Sequence, residues 1–316
     1  MAGVKLPVVA MNGPTASGKT ASAVAVAHRL AEAGIAAEVV NADSMLVYKG
    51  MDIGTAKPTT AEREGIPHHL IDILEVTDAA SVADFQRLAR ATIAECRRRG
   101  VVPLLTGGSA LYVHAILDEF EFPGTHPELR ARLETELAAL GPQVLHERLA
   151  ARDPSAAAGI LPGNGRRIVR ALEVIELTGS FTAALPSWNY ALADVLQFGL
   201  DVPREVLDQR IEARVEQMWA DGLVAEVEHL VGRGLRQGRT ASRALGYRQV
   251  LAFLDGESTE AEAKLSTITG TRRLARKQLG WFRRDPRISW HPAGPDGAAQ
   301  IASVVTGRVL GGQEAH

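Results

Sequence analysis

Short apolar runs alternate with longer segments of helical spacing along the first part of the chain. Leu6-Pro7-Val8-Val9-Ala10-Met11 has the length and composition of a strand, as have Glu38-Val39-Val40-Asn41 and Val101-Val102-Pro103-Leu104-Leu105-Thr106. The Ala/Val-rich stretch Ala21 to Ala33 and the segment Ser81 to Arg99 supply helices between them. A fourth strand, Val195-Leu196-Gln197-Phe198-Gly199-Leu200, comes much later. Strands separated by helices imply a parallel sheet with right-handed crossovers and helices on both faces. The expected fold class is α/β, with ligands gathering at the carboxyl ends of the strands.

Between the third and fourth strands the pattern changes. Residues 121–192 carry helix-like segments and no convincing strand: Pro127 to Leu140, Gln143 to Ala151, Asp153 to Ile160 and Gly165 to Leu177. Pro154 suits a first helical turn, and Gly141 and Gly179 suit helix ends. We read 121–192 as a helical insertion domain, and 1–120 with 193–316 as the core domain and its C-terminal helices. Those helices are expected over Arg204 to Gly222, Val224 to Gly232, Tyr247 to Leu254 and about Thr259 to Arg284. The Gly/Ala-rich tail after His291 is expected to be loosely held.

The chemistry enters between the first strand and the first helix. Gly13-Pro14-Thr15-Ala16-Ser17-Gly18-Lys19-Thr20 is a complete phosphate-binding loop. Loop N–H groups and the helix N-terminus wrap a phosphate chain. Lys19 adds a point charge, and Thr20 offers a hydroxyl to Mg²⁺. This makes the sheet P-loop NTPase-like. An ordinary P-loop ATPase holds Mg²⁺ with an aspartate ending its third strand. Here that strand runs into Thr106-Gly107-Gly108-Ser109, without an acid. The nearest candidate is Asp43, just past the second strand, where a carboxylate faces the phosphate loop and can take a proton from a nucleophile. Capping of a following helix is the competing role for Asp43.

Composition is that of an ordinary soluble protein, 46% hydrophobic and 23% charged, and no apolar stretch is long enough to span a membrane. The N-terminus carries no signal-peptide core, and one cysteine, Cys96, rules out a disulfide framework or a cysteine-rich zinc site. A cytoplasmic location is expected. Net charge is only -2, but Arg272, Arg273, Arg276, Lys277, Arg283, Arg284 and Arg287 crowd one segment, opposed by Asp285 alone. Arg233, Arg236, Arg239, Arg243 and Arg248 form a second basic stretch. Such clusters mark either a phosphate-rich partner or a solvated helix face.

Asp43-Ser44-Met45-Leu46-Val47-Tyr48-Lys49-Gly50-Met51-Asp52-Ile53-Gly54-Thr55-Ala56-Lys57-Pro58 makes the reading specific. Together with the phosphate loop, it resembles the bacterial tRNA dimethylallyltransferases, also called isopentenyl-diphosphate:tRNA transferases. Further matching blocks are Pro67-His68-His69-Leu70-Ile71-Asp72, Gly107-Gly108-Ser109-Ala110-Leu111-Tyr112, Arg170-Ala171-Leu172-Glu173-Val174, Arg243-Ala244-Leu245-Gly246-Tyr247-Arg248-Gln249 and Thr271-Arg272-Arg273-Leu274-Ala275-Arg276-Lys277-Gln278. Ser109 replaces the usual Thr and keeps the hydroxyl.

The resemblance implies transfer of a dimethylallyl group from dimethylallyl diphosphate to the exocyclic amine of the adenosine 3′ to the anticodon of tRNA. Residues 13–20 then hold a diphosphate leaving group, in line with the missing acid. It implies catalytic roles for Asp43, Lys19, Thr20 and Arg214, with Mg²⁺ on Thr20. For Arg214 a surface pair with Arg210 or Glu216 is the plain alternative. It places Asp43, Ser44, Met45, Leu46, Ser109, Arg130, Arg166, Arg167, Arg170, Arg243, Gly246, Tyr247, Arg248, Arg272, Arg273, Arg276 and Lys277 against the anticodon stem-loop. For His68 and His69 a structural hydrogen-bonding role is the safer reading, and monomer is the default state. A small-molecule kinase of nucleoside or shikimate type shares the loop and the acid, but needs neither basic stretch. A nucleotide-gated RNA-binding switch would need the missing acid.

Overall fold

Val8–Asn12 (β1) runs into the phosphate loop and Lys19–Glu32 (α1) in the computed structural model, which describes residues 6–120, 122–181 and 188–311. Ala37–Asn41 (β2), His68–His69 (β3), Val82–Arg98 (α2), Val102–Gly107 (β4) and Ala110–Leu117 (α3) follow. Next come Pro127–Arg152 (α4), Pro154–Ala158 (α5) and Gly165–Thr178 (α6). The chain returns through Val195–Asp201 (β5), Arg204–Ala220 (α7), Leu223–Gly232 (α8), Tyr247–Leu254 (α9), Glu260–Phe282 (α10), Ile288–Pro292 (β6) and Pro295–Gly311 (α11).

All six strands are parallel, in the order β3-β2-β4-β1-β5-β6. Alternation along β1 sends Val9 and Met11 to one face and Val8 and Ala10 to the other. The first face packs on α1 and α11 through Ala23, Val26, Leu30, Ile301 and Val305. The second packs on α2 and α3, with Phe85, Ala89, Ile93 and Ile116. Two edge strands and α3 were not evident from the sequence pattern. The tail expected to be loose is α11, whose Ala298, Ile301, Ala302, Val305 and Val309 form a buried stripe at helical spacing.

The described chain forms two compact units: residues up to Asp118 with those from Tyr190 onward, and Glu119–Asn189. The second unit is helical around Leu133, Leu145, Leu149, Ile168 and Leu172. In it α4 bends at Gly141, with φ 79°, just ahead of Pro142. Within the first unit, Asp118 and Tyr190 pair across an antiparallel bridge. Arg287 forks onto Asp118 at 2.6 and 2.9 Å, bonds Asp285 and lies 4.0 Å over the Tyr190 ring. Gln197 continues this buried network from Asp285 to Asn12, the last residue before the phosphate loop.

Candidate active site

Three elements bring charge to the phosphate loop. Lys19 opens α1, and its Nζ donates to the Pro14 carbonyl at 2.7 Å. Asp43 follows β2, and Arg214 lies on α7. Lys19 registers both. Burial pushes its ammonium down to about 8, the Asp43 charge opposes that shift, and the Arg214 charge adds to it. Arg214 is itself held below the ordinary guanidinium range by burial, against the favourable charge of Glu62. Arg214 is half-buried on α7, and its charge reaches Lys19.

Asp43 caps a turn and not a helix. Its N–H donates to Asn41 Oδ1 at 2.7 Å, and its Oδ1 accepts the Met45 N–H at 2.8 Å. Asn41 Nδ2 ties this turn to the carbonyls of Asp43 and Leu70, both at 3.0 Å. The carboxylate is thus aimed by its own backbone. Beside it, the Ser44 and Ser109 hydroxyls meet at 3.2 Å, joining the ends of β2 and β4. That approach requires Gly107, since a Cβ there would stand 2.4 Å from the Ala42 carbonyl oxygen. Tyr112, pushed up to about 12 mainly by burial, also feels the Asp43 charge.

The phosphate loop is pinned from outside. The Thr15 N–H donates to Gln278 Oε1 of α10 at 2.9 Å, and Ala16 packs with Leu207, Ile211 and Ala275 of α7 and α10. Ala16 adopts a left-handed φ of 62°, a strain the surrounding packing must hold. Ser17 is fully buried, and its Oγ has no hydrogen-bond partner in this structure. Gln278 was not singled out from sequence, though it ends the matching Thr271–Gln278 block.

The segment after Asp43 is held by two charges that sequence reasoning also missed, half-buried Glu226 and buried Lys57. Glu226 accepts the N–H groups of Asp52, Ile53 and Gly54 at 3.0, 2.7 and 3.2 Å, and the Tyr247 hydroxyl at 2.5 Å. Lys57 bonds the Tyr48 carbonyl and Asp52, each at 2.7 Å, and Asp72. Gly54 lets the Tyr247 ring approach, because a Cβ would fall 2.5 Å from it. Tyr247 and Gly246 are enclosed, so their visible task is to shape this segment. Met45 and Leu46 are partly buried beside Asp43.

The expected RNA-facing cations divide. Arg243, Arg248, Arg273, Arg276 and Lys277 are exposed, and Arg248 and Arg273 line one shallow groove between α9 and α10. Arg272 instead bonds Glu212 at 2.6 Å and the Asp208 carbonyl at 3.2 Å. In the second unit, Arg130 and Arg170 converge on the fully buried Glu173, while Arg166 and Arg167 are exposed. His68 and His69 are structural in their contacts, bonding the Ile66 carbonyl and Glu38. Among the described residues, no helix is long and apolar enough to cross a membrane.

A parallel sheet with a phosphate loop, an acid beyond β2 and none after β4 defines a P-loop protein built for group transfer. The model of the IPP transferase family matches residues 46–285. A tRNA dimethylallyltransferase of Kineococcus radiotolerans is 64% identical over 93% of this chain and 92% of its own. One from a Nocardioides species is 55% identical over 98% of both. The full-length tRNA isopentenylpyrophosphate transferase of Bacillus halodurans superposes with a TM-score of 0.71 at 39% identity, over 98% of this chain and 99% of that one. A eukaryotic dimethylallyltransferase solved acting on tRNA shares the fold, with a TM-score of 0.77 at 23% identity, over 97% of this chain and 80% of that one. The chain belongs to the IPP transferase family, that of the tRNA dimethylallyltransferases.

Proposed function

We propose that this enzyme moves a dimethylallyl group from dimethylallyl diphosphate to the exocyclic amine of the adenosine 3′ to a tRNA anticodon, acting in the cytoplasm as a monomer. The observation that carries the reading is a phosphate loop whose Lys19 feels the charges of Asp43, beyond β2, and Arg214, on α7, beside a strand end with no acid. That set suits departure of a diphosphate and lacks the Mg²⁺-holding acid that a nucleotide switch needs after this strand, while the exposed basic residues of α10 favour a tRNA acceptor over the small acceptor of a kinase.

In the transfer, the bond from the allylic carbon to the bridging oxygen breaks and its electron pair stays on the diphosphate. The adenine amine nitrogen bonds to the same carbon and loses a proton, which Asp43 accepts. The amine is a poor acid, so proton transfer accompanies or follows attack. Loop N–H groups, Lys19 and Arg214 stabilise the charge on the departing oxygen, where they act most strongly in the transition state. Thr20 presents a hard hydroxyl oxygen in the first turn of α1, the donor type Mg²⁺ takes alongside phosphate oxygens and water. Bound there, the ion supplies further charge neutralisation to the diphosphate.

An adenosine stacked in an anticodon loop reaches such a site only when flipped out. Ser44 and Ser109, whose hydroxyls meet beside Asp43, are the candidates to contact it. Arg243, Arg248, Arg273, Arg276 and Lys277 on the first unit, and Arg166 and Arg167 on the second, are the candidate phosphate contacts. The test is incubation with dimethylallyl diphosphate, Mg²⁺ and unmodified tRNA, followed by nucleoside mass spectrometry. An adenosine heavier by one C₅H₈ unit is expected; unchanged nucleosides would refute the assignment.

A further inference from the structure

We propose that Glu38, His69 and Cys96 form a zinc site at the sheet edge, in which the Arg99 guanidinium stands in for the metal ion. The three ligand atoms lie within 4.8 Å of one another. They come from three elements, and the fold explains why they meet. Glu38 and Val40 share one face of β2, and His69 of β3 pairs with Val40 in parallel register. On α2, Phe85, Ala89, Ile93 and Cys96 make the buried stripe that packs on that face. Cys96 ends the stripe over Glu38.

One donor pair already has the spacing found around a small tetrahedral ion, and the other is a hydrogen bond that would open by about 0.6 Å. Glu38 Oε2 lies 2.7 Å from His69 Nε2 and 3.6 Å from Cys96 Sγ. Zinc bonds to sulfur, nitrogen and oxygen put neighbouring donor atoms about 3.3–3.7 Å apart. Only small side-chain shifts separate the two arrangements. Thiolate, imidazole and carboxylate together select Zn²⁺ over Mg²⁺. His69 is partly exposed, with 33% of its side chain accessible, which leaves a path for entry and a water in the fourth position. The site lies near the amino end of β2, on the order of 15 Å from Asp43 along the strand, so it is separate from the phosphate loop.

Arg99 supplies the cation that the cluster otherwise lacks. Its guanidinium forks onto both Glu38 oxygens at 2.8 and 2.5 Å and lies 3.6 Å from Cys96 Sγ. Its Nε is already 3.6 Å from Glu95 Oε1, a second acid one turn back on α2. Arg99 can therefore give up Glu38 to a metal without losing every partner. When zinc binds, the Cys96 thiol releases its proton to solvent as the S–Zn bond forms. The His69 proton moves from Nε2 to Nδ1 through solvent, freeing Nε2 for the metal. The bound ion would fasten α2 to the two-residue strand β3 and to the Leu70 carbonyl that orients Asn41.

The test uses the untagged full chain, stripped with a chelator and titrated with Zn²⁺ or Co²⁺. One equivalent is expected to bind in the presence of excess Mg²⁺, raising the melting temperature. Co²⁺ should give a tetrahedral visible spectrum with a thiolate charge-transfer band. Cys96→Ser and His69→Ala should each weaken binding by more than the ~10–100-fold of an outer-shell change, and Cys96→Ser should erase the band. Arg99→Gln should tighten binding by roughly two- to fivefold, because a competing cation is gone. A Co²⁺ complex of the wild type without the thiolate band would overturn the site, even if Cys96→Ser fails to fold. So would Arg99→Gln that binds Zn²⁺ no better than wild type.

Discussion

Raising the pH above about 8 should disarm the donor site. Burial pushes the Lys19 ammonium from an ordinary 10.5 to about 8, with Asp43 opposing and Arg214 reinforcing the shift. Donor binding needs the charged form. The free enzyme carries it almost fully near pH 7 and about a tenth of the time near pH 9, so kcat/KM for dimethylallyl diphosphate should fall about tenfold across that interval and tenfold per unit beyond. A bound diphosphate restores the charge, so kcat should change much less. The neighbours fix the direction of each variant. Asp43→Asn removes a raising influence and should move the limb to lower pH, read as the binding of dimethylallyl diphosphate by calorimetry since this variant will not turn over. Arg214→Met removes a lowering influence and should move it to higher pH. Stability runs the other way. Between about 8 and 10.5 the unfolded chain holds the Lys19 proton and the folded chain does not, so this group's contribution to stability rises with pH in that window. A kcat/KM profile flat to about pH 10, or limbs that move in the opposite directions, would refute the placement of these three charges.

Asp43→Ala should lower turnover by about 10²–10⁴-fold with tRNA affinity nearly unchanged, and retention of more than about a tenth of wild-type turnover in a steady-state assay would remove Asp43 as the base. Glu226→Gln should cost about 2–4 kcal/mol, because two of the four donors it accepts would face an amide NH₂; urea unfolding with an unchanged midpoint would contradict this. Arg273, Arg276 and Lys277 changed together to Ala should flatten the salt dependence of tRNA binding by roughly 0.7–0.9 in log–log slope per lost contact, and equal slopes in Kd measured at several salt concentrations would make α10 a solvated face.

Local signals carried the sequence reading furthest. The phosphate loop, the strand before it and the helix after it are contiguous, so their pattern stands alone. β1, β2, β4 and β5 were visible as apolar runs. β3 has two residues and β6 reads Ile-Ser-Trp-His-Pro, too short or too mixed for a period to emerge. α11 was obscured by its Gly and Ala content, yet its apolar residues keep helical spacing and pack against α1. Charge told less than it seemed to. The basic segment was plain, but Arg272, Arg283 and Arg287 find acids at Glu212, Asp201 and Asp118, far away in sequence. The same distance hid Glu226, whose partners at 52–54 belong to the most recognisable motif after the loop. Motif residues such as Lys57 and Tyr247 thus include those that hold the segment in place.

The central claim is that the loop holds an allylic diphosphate as leaving group. The most direct measurement supplies tRNA with two donors at once: dimethylallyl diphosphate labelled in its carbon chain, and ATP labelled in its γ-phosphate. The account predicts carbon label in tRNA, matched one-to-one by released inorganic diphosphate, with no phosphate label in the RNA. Phosphate label in any product, or release of diphosphate without carbon transfer, would contradict it.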